Sequence, residues 1–195
     1  MSFQGNSGVA AKAGRDWATG LKDLEKMLTE SPSPERVSAK IAQILNVSRN
    51  EVAVLRVEKG SLRFVYPPAL RAAGVIPMSS SAVAARTVAT GTSLLSNSFA
   101  RMKHVSLFES VKLSSSQDEQ ASEQLPIQKI MSVPITPAGG KVIGAIQVSR
   151  KGLDSSLAGT DFTTDDLKRL EQAAVILASM PFMNEDAPLD DAQPV

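Results

Sequence analysis

The amino-acid sequence predicts an α+β fold, in which helices at both ends of the chain flank segments that form antiparallel strand pairs. Apolar residues recur at steps of three and four near both ends, which is the period of an amphipathic helix. Between them lie two pairs of strand-forming runs, each interrupted by a short glycine-containing turn, and this pattern is typical of β-hairpins.

Length and composition indicate one domain with appended tails. The chain has 195 residues, of which 43% are hydrophobic, and this is enough apolar surface for a single continuous core. The formal net charge of +1 predicts no binding to nucleic acid. No stretch approaches the roughly 20 apolar residues that a membrane span needs. We therefore expect a cytoplasmic protein with no membrane partner.

Residue types that carry catalysis or bind metal ions are scarce. The chain contains no cysteine, and His104 is its one histidine. Thiolate metal sites, cysteine nucleophiles and histidine clusters therefore cannot form within one chain, and a Ser-His-Asp site would have one possible base. On these grounds the sequence predicts no metal site and no enzymatic activity.

An amphipathic helix is predicted over residues 15–30, after a flexible tail over residues 1–14 that is rich in Gly, Ser and Ala. The apolar stripe of this helix consists of Trp17, Leu21, Leu24 and Leu28. Such a stripe needs a partner. The partner is either the last helix of the same chain or a second copy, and both contacts can coexist in a homodimer that pairs terminal helices.

A second helix and a hairpin follow. Ser33 is placed to cap the helix, with Pro34 at its first position. The runs "EVAVLRVE" and "SLRFVYP" then flank Lys59-Gly60, which predicts a tight turn between two strands. The second strand places three residues on one face, namely Leu62, Phe64 and Tyr66.

A short helix is predicted to begin at the cluster Ser79-Ser80-Ser81 and to end at Gly91. The serines can cap this helix, and they can also hold an anion at its N-terminus. Residues 99–112 lack a clear period and predict a helix or an irregular lid, and residues 114–124 predict an exposed polar loop.

The last helix is predicted to begin after Thr163, which forms a capping pair with Asp166 three residues later. Residues 181–195 are acidic and contain proline, so we expect a flexible tail there.

The stretch "PITPAGGKVIGAIQV" raises the question whether Gly139-Gly140-Lys141 binds phosphate. A phosphate loop continues from Gly-Lys into Ser or Thr and then into a helix, whereas here Val142 follows and both flanks have strand patterns. The segment therefore predicts a hairpin turn. Gly144, inside the second strand, marks a close approach of either a packed neighbour or a ligand.

In order and spacing, these elements resemble a GAF domain over about residues 33–180, and we assign a GAF-like domain to residues 31–180. The segments that carry the resemblance are "ARTVATGTSLLSN", the pairing of "SVPI" with "GAIQV", and the capped helix in "FTTDDLKRLEQAAVILA". The resemblance implies an antiparallel sheet of about six strands. It places the terminal helices on one face and a helix-and-loop cover, with a pocket beneath it, on the other.

Members of that family bind cyclic nucleotides, tetrapyrroles, haem or small metabolites, and many have no known ligand. Bilin attachment and the free methionine sulfoxide reductase branch depend on cysteines, which this chain lacks. The cyclic-nucleotide members have an Asn-Lys pair, where this chain has Ser149-Arg150. They then have Phe, three residues and Asp-Glu, whereas here two residues separate Phe162 from Asp165-Asp166. The cofactor therefore remains unknown.

Seven residues are candidates for contact with a ligand: Phe64, Tyr66, Ser80, Arg101, His104, Gly144 and Ile146. The aromatic rings could stack on a planar molecule, the basic residues and Ser80 could hold an anion, and the last two would form the floor beneath residues 79–112. For each, the alternative is ordinary packing, capping or solvation. The sequence predicts a non-enzymatic, self-associating sensory or regulatory module that binds a small molecule, with a nucleotide or cyclic-nucleotide sensor as the alternative.

Overall fold

The computed structural model describes residues 7–30, 32–72, 74–101 and 125–184. Within these ranges, six strands form a single sheet, and four α-helices lie on its two faces. The helices are α1 (Ser7–Met27), α2 (Pro34–Leu45), α3 (Val83–Thr90) and α4 (Thr164–Leu177). The strands are β1 (Val52–Glu58), β2 (Ser61–Tyr66), β3 (Val75–Pro77), β4 (Leu94–Ser96), β5 (Ile127–Ile135) and β6 (Gly144–Lys151).

The sheet has the strand order β3-β2-β1-β6-β5-β4, and every neighbouring pair is antiparallel. Helices α1, α2 and α4 pack together and cover one face, whereas α3 lies on the other face over β5 and β6. The predicted fold class, with about six antiparallel strands and terminal helices on one face, is therefore confirmed.

The apolar core on the face of α1, α2 and α4, here called the helix-side core, is the largest of the three apolar clusters in the described residues. Its fully buried side chains include Leu24, Ile41, Met131, Ile146, Leu170 and Leu177. The core on the opposite face, here called the α3-side core, is built from smaller residues of α3 against β1, β2 and β6. It includes Leu55, Leu62, Phe64, Ala85 and Ala145.

The apolar stripe of α1 packs against its own chain. Leu24 is fully buried in the helix-side core, and Trp17, Leu21 and Leu28 are half-buried against it. A Cβ at Gly20 would lie 2.6 Å from Cγ1 of Ile44, so a glycine lets α1 and α2 approach closely. The structure thus shows the first of the two predicted contacts, in which the apolar stripe of α1 packs against helices of its own chain.

Two predicted helix caps are present and one is absent. The Oγ of Ser33 accepts a hydrogen bond from the Arg36 N–H at 3.3 Å. Thr163 and Asp166 form a reciprocal capping box at α4. The serine cluster does not cap α3, because the helix begins at Val83 and its N-cap position is occupied by Ala82, beyond the last serine.

Both predicted hairpin turns are present. Lys59 and Gly60 have positive φ between β1 and β2, and Gly139 has φ +67 in the turn between β5 and β6. Lys141 is exposed beyond that turn. Gly139-Gly140-Lys141 therefore connects β5 to β6, and a strand follows it instead of the helix that a phosphate loop would require.

One predicted strand face is wrong. Phe64 pairs with Leu55, but Tyr66 pairs with the adjacent Val54, so Val65 is an extra residue in β2. Such a β-bulge reverses the alternation of side chains. Tyr66 therefore packs with the helix-side core, whereas Phe64 belongs to the α3-side core.

The ends of the domain differ from those expected. Helix α1 begins at Ser7 rather than at residue 15, and the 3₁₀ helix Pro181–Met183 buries Phe182 and Met183 in the helix-side core beyond residue 180. Residues 1–6, 114–124 and 185–195, which include parts of the predicted tails and the polar loop, lie outside the described residues. No helix in the described ranges is long and apolar enough to cross a membrane.

Candidate ligand-binding site

A cavity of about 320 Å³ lies beside the α3-side core, at the end of the sheet where β1 begins and β6 ends. We call it the α3-side cavity. Residues around it include Arg49, Glu51, Ala53, Tyr66, Leu70, Ile130, Gln147, Ser149 and Lys151. Its walls come from the 3₁₀ helices Arg49–Glu51 and Pro68–Leu70 and from β5. The lining is mostly apolar with a few polar groups, which is the usual character of a small-molecule site.

The polar part of the cavity comes from the alternation of side chains along β6. Ile146 and Val148 enter the helix-side core, while Gln147 and Ser149 point to the other face and line the cavity. In the sheet, Gln147 lies between Ala53 of β1 and Ser132 of β5. Along this part of β6, the polar side chains thus lie on the cavity side of the sheet and the apolar ones on the side of the helix-side core.

A buried chain of hydrogen bonds joins the cavity to α3. The Oγ atoms of Thr87 and Ser132 are 2.8 Å apart, and Nε2 of Gln147 donates to Oγ of Ser132 at 3.2 Å. All three residues are buried. The carboxamide oxygen Oε1 of Gln147 has no hydrogen-bond partner among the described residues. This oxygen is therefore an unsatisfied acceptor buried in the protein beside the cavity, and such groups are rare in protein interiors.

The wall formed by residues 49–51 is fixed by hydrogen bonds. The Glu51 carboxylate accepts the N–H of Ser48 at 2.9 Å and the N–H of Lys151 at 3.0 Å. The ammonium group of Lys151 donates to the Asn50 carbonyl at 3.0 Å. These bonds tie the start of β1 to the end of β6 and hold this side of the cavity open.

Tyr66 is the last residue of β2, where it packs with the helix-side core and also borders the cavity beside Arg49. Its hydroxyl donates to the carbonyl oxygen of Arg49 at 3.3 Å. Burial raises the pKa of this phenol, while the positive charge of Arg49 opposes the shift and the negative charge of Glu35 adds to it. The hydroxyl is therefore a donor at neutral pH, as this hydrogen bond requires.

Of the seven predicted ligand residues, Tyr66 lines the cavity. Phe64 is buried in the α3-side core and is not part of the lining. Ser80 precedes α3, and its Oγ makes no hydrogen bond within the described residues, but it is also not part of the lining. Arg101 ends the 3₁₀ helix Phe99–Arg101, and His104 lies outside the described residues.

The predicted position of Gly144 and Ile146 under the α3 cover is wrong. Ile146 is fully buried in the helix-side core. A Cβ on Gly144 would meet the carbonyl oxygen of Leu55, and it would lie 2.8 Å from Cε of Met183. Gly144 is thus needed where the segment after α4 crosses the sheet, so its close neighbour is packed protein. Both residues were correctly predicted to lie in the sheet, but they were predicted to face α3, whereas they face the helix-side core.

Gln147, Ser149, Arg49 and Ile130 are cavity residues that the sequence reasoning did not select. A signal was present in "AIQVSRK", where polar residues alternate with apolar ones in a strand expected to be covered on both faces. In such a strand, a buried polar side chain needs a partner, which makes it a candidate for ligand contact.

A metal ion would need several acidic, histidine or cysteine ligands. No cluster of three or more such residues is found in the described part of the chain.

No protein-family model matches the chain, and no curated protein matches it. Solved structures do match over most of its length. The GAF domain from a phosphoenolpyruvate-protein phosphotransferase of Coxiella burnetii matches with a TM-score of 0.59 and 11% identity, covering 85% of this chain and 92% of that chain. The GAF domain from the phosphoenolpyruvate-protein phosphotransferase of Acinetobacter matches with a TM-score of 0.58 and 11% identity, covering 84% and 90%. At these identities the likeness shows the fold alone, and the predicted GAF-domain fold is confirmed.

A free methionine-R-sulfoxide reductase from Neisseria meningitidis, solved in complex with its substrate, also matches. Its TM-score is 0.57 with 17% identity, and the match covers 92% of this chain and 93% of that chain. This finding contradicts the prediction that the protein is not an enzyme, because an enzyme shares the fold over nearly the whole chain. The prediction was argued from scarce catalytic residue types, and that scarcity does not exclude catalysis in this fold.

Proposed function

We propose that the protein is a GAF-type sensory and regulatory module that binds a small molecule in the α3-side cavity. The observation that carries the proposal is the cavity itself, whose mostly apolar lining includes the buried polar side chains of Gln147 and Ser149. The structure of the Neisseria meningitidis reductase with its substrate supports the proposal, since it is a protein of this fold that holds a small molecule.

The size of the cavity supports a ligand of modest size. Its volume of about 320 Å³ is at the lower end of the roughly 300–1,000 Å³ that is usual for small-molecule sites. The site is shaped by residues of β1, β5 and β6, which are fixed in the sheet, so most of it exists before a ligand binds. A metabolite with one or two rings is the size class that we expect.

The test is a thermal-shift screen against a library of small metabolites that includes linear and cyclic purine nucleotides. A ligand present at 100 times its Kd stabilises the folded protein by about 2.7 kcal/mol, which is a measurable rise in Tm. Ala53→Met, which fills the cavity, should remove the shift, whereas Ala72→Met at an exposed position should keep it. The proposal fails if no compound binds, or if Ala53→Met binds as well as the unmodified protein.

The same screen tests the nucleotide alternative. A response confined to purine nucleotides would favour it. Of the two basic residues on which that alternative partly depends, Arg101 ends the 3₁₀ helix Phe99–Arg101 and His104 lies outside the described residues.

Self-association through the terminal helices is a further part of the proposal. Trp17, Leu21 and Leu28 remain partly exposed after docking on their own chain, and Val175 on α4 is 68% exposed. A second copy could cover this remaining apolar surface. Analytical ultracentrifugation at micromolar concentration should show a dimer that Val175→Glu weakens, with Gln172→Glu at another exposed position of α4 as the control. A monomer at all concentrations would contradict this part. The cytoplasmic location stays a prediction.

A further inference from the structure

The loop between β6 and α4 holds two leucine side chains in solvent. Leu153 is 74% exposed and Leu157 is 66% exposed, and they are two of the four large apolar side chains that are exposed among the described residues. A single exposed leucine is ordinary, whereas exposed apolar residues that occur together mark interaction sites. We call residues 152–161 the leucine loop.

Hydrogen bonds fix both ends of the leucine loop. The N–H of Gly152 donates to the Pro126 carbonyl at 3.1 Å, and the Gly152 carbonyl accepts from Nε2 of Gln128 at 2.9 Å. Near the other end, Nζ of Lys129 donates to the Gly159 carbonyl at 2.6 Å. The leucines are therefore exposed on an ordered loop, which loses little conformational entropy when it binds a partner.

Asp154 gives the leucine loop its charge. Its Oδ1 accepts the N–H and the hydroxyl of Ser156, at 2.8 and 2.6 Å, and the N–H of Leu157 at 3.0 Å. The Ser156 hydroxyl and these N–H groups lower the pKa of Asp154, so the carboxylate is ionised at neutral pH. Asp161 pairs with Lys129 at 2.8 Å, whereas Asp154 forms no ion pair with the described residues. The loop thus carries one uncompensated negative charge beside its leucines.

A groove of complementary character lies between α2 and the end of α1. Its volume is about 630 Å³. Apolar surface in it comes from Met27, Ala39, Ala42 and Val47. We call it the α1–α2 groove. Because it is open and partly apolar, a protruding pair of leucines can enter it.

Arg49 gives the α1–α2 groove its charge. Three other charged lining residues already pair within the chain at 3.0–3.2 Å, namely Arg36 with Glu30, Lys40 with Asp23 and Glu35 with Arg71. Arg49, at the border between this groove and the α3-side cavity, forms no ion pair with the described residues. The groove therefore combines apolar surface with one uncompensated positive charge, which complements the leucine loop.

We propose that the leucine loop of one copy of this chain docks in the α1–α2 groove of a second copy, with Leu153 and Leu157 on the apolar surface and Asp154 facing Arg49. Both leucines are exposed in the single chain, so the loop does not occupy its own groove. A second copy is the occupant because the chain itself carries the matching groove. The inference is independent of ligand binding and of the terminal-helix contact around Val175.

The test disables each half of the interface separately. Replacing both Leu153 and Leu157 by Ser removes the apolar contacts of the loop, and self-association should fall by at least about 100-fold. Ala39→Glu places a carboxylate at a half-buried position of the groove and should also prevent docking. Sedimentation velocity of the full chain, from micromolar to millimolar concentration, measures both. All chains also carry Val175→Glu, so that pairing through the terminal helices does not contribute.

Mixing the two variants is the decisive step. The loop variant keeps an intact groove and the groove variant keeps an intact loop, so an equal mixture should associate although each variant alone does not. Melting curves confirm that both variants are folded. A mixture of folded variants that stays monomeric overturns the proposal.

Two controls separate this contact from general stickiness. Leu157→Met keeps an apolar side chain in the loop and should keep the association. Val75→Ser removes a side chain that is 48% exposed on β3, outside both surfaces, and should also keep it. If Val75→Ser weakens the association as much as the loop variant does, the leucine loop is not the contact and the proposal is wrong.

The charges should contribute less than the leucines. Asp154→Asn keeps an oxygen that can accept the hydrogen bonds of the loop, and it should weaken association about threefold, as expected for an exposed ion pair. Arg49→Gln should have a similar effect, and the double variant should be no weaker than either single one, because both remove the same pair. Fully additive losses would contradict the pairing of Asp154 with Arg49. A Val175→Glu chain that is monomeric up to millimolar concentration would overturn the whole proposal.

Discussion

The two faces of the sheet differ in how completely they are packed. The face under α1, α2 and α4 carries a continuous apolar core to which all three helices contribute. The face under α3 carries a smaller core, a buried polar chain from Thr87 to Gln147, and a cavity. Both faces use the same strands, so the difference comes from which side chains point each way. We infer that the helix-side face mainly supplies stability and the α3 face supplies the binding site.

The largest expected effect is on the helix-side face. Leu177→Ala removes a fully buried side chain from α4 and should lower the free energy of unfolding by about 3 kcal/mol, because it leaves a cavity in a packed core. Val175→Ala on the same helix, where the side chain is 68% exposed, should change it by less than about 0.5 kcal/mol. Urea unfolding followed by circular dichroism measures both. Equal effects would show that α4 is not docked as described.

Gly144→Ala tests the close approach on that same face. The added methyl group would press on the carbonyl oxygen of Leu55 and on Met183, so we expect a loss of about 1–3 kcal/mol in the free energy of unfolding. Gly140→Ala is the control, since its Cβ would lie at an ordinary distance of 3.5 Å from Pro137, and it should be nearly neutral. Thermal or urea unfolding distinguishes them. If Gly144→Ala leaves the free energy of unfolding unchanged, close packing does not require a glycine at this position, and the alternative that Gly144 contacts a ligand is favoured.

A smaller effect is expected on the α3 face. Thr87→Val keeps the shape of the side chain but removes its hydrogen bond to Ser132, and Ser132 retains Gln147 as a partner. The free energy of unfolding should fall by about 1 kcal/mol. Thr92→Val, at an exposed position, should cost less. A loss for Thr87→Val as large as that for Leu177→Ala would mean that the polar chain is a main source of stability, and the division between the faces would not hold.

The smallest effect is expected at the turn between β5 and β6. Lys141 is exposed and does not line the α3-side cavity, so Lys141→Ala should leave both Tm and the affinity for any ligand found in the screen unchanged. Isothermal titration calorimetry with that ligand measures the affinity. A loss of binding would restore the reading of Gly139-Gly140-Lys141 as part of a binding loop.

The regular elements could be predicted from the sequence because their signals are local. The caps at Ser33 and Thr163 and the turns at Lys59-Gly60 and Gly139-Gly140 each depend on a few neighbouring residues. The serines before α3 gave a false cap because several adjacent positions can serve as N-cap, and the chain uses Ala82.

The site was harder to predict because it depends on which face each side chain occupies. One extra residue in β2 moved Tyr66 to the opposite face from Phe64. Strand β6 was predicted correctly. Its orientation was not, because the sequence does not show that residues 181–183 pack against Gly144, and so it does not indicate that Gly144 and Ile146 face the terminal helices. The neighbouring Gln147 and Ser149 therefore went unselected.

The most direct test of the division between the two faces is a map of amide and methyl NMR shifts on addition of a bound ligand from the screen. The account predicts the largest changes at Ala53, Ile130, Gln147 and Ser149, around the α3-side cavity, with little change at Leu24, Leu170 and Leu177 in the helix-side core. Changes centred on α1, α2 and α4 instead, with none around Gln147, would contradict it.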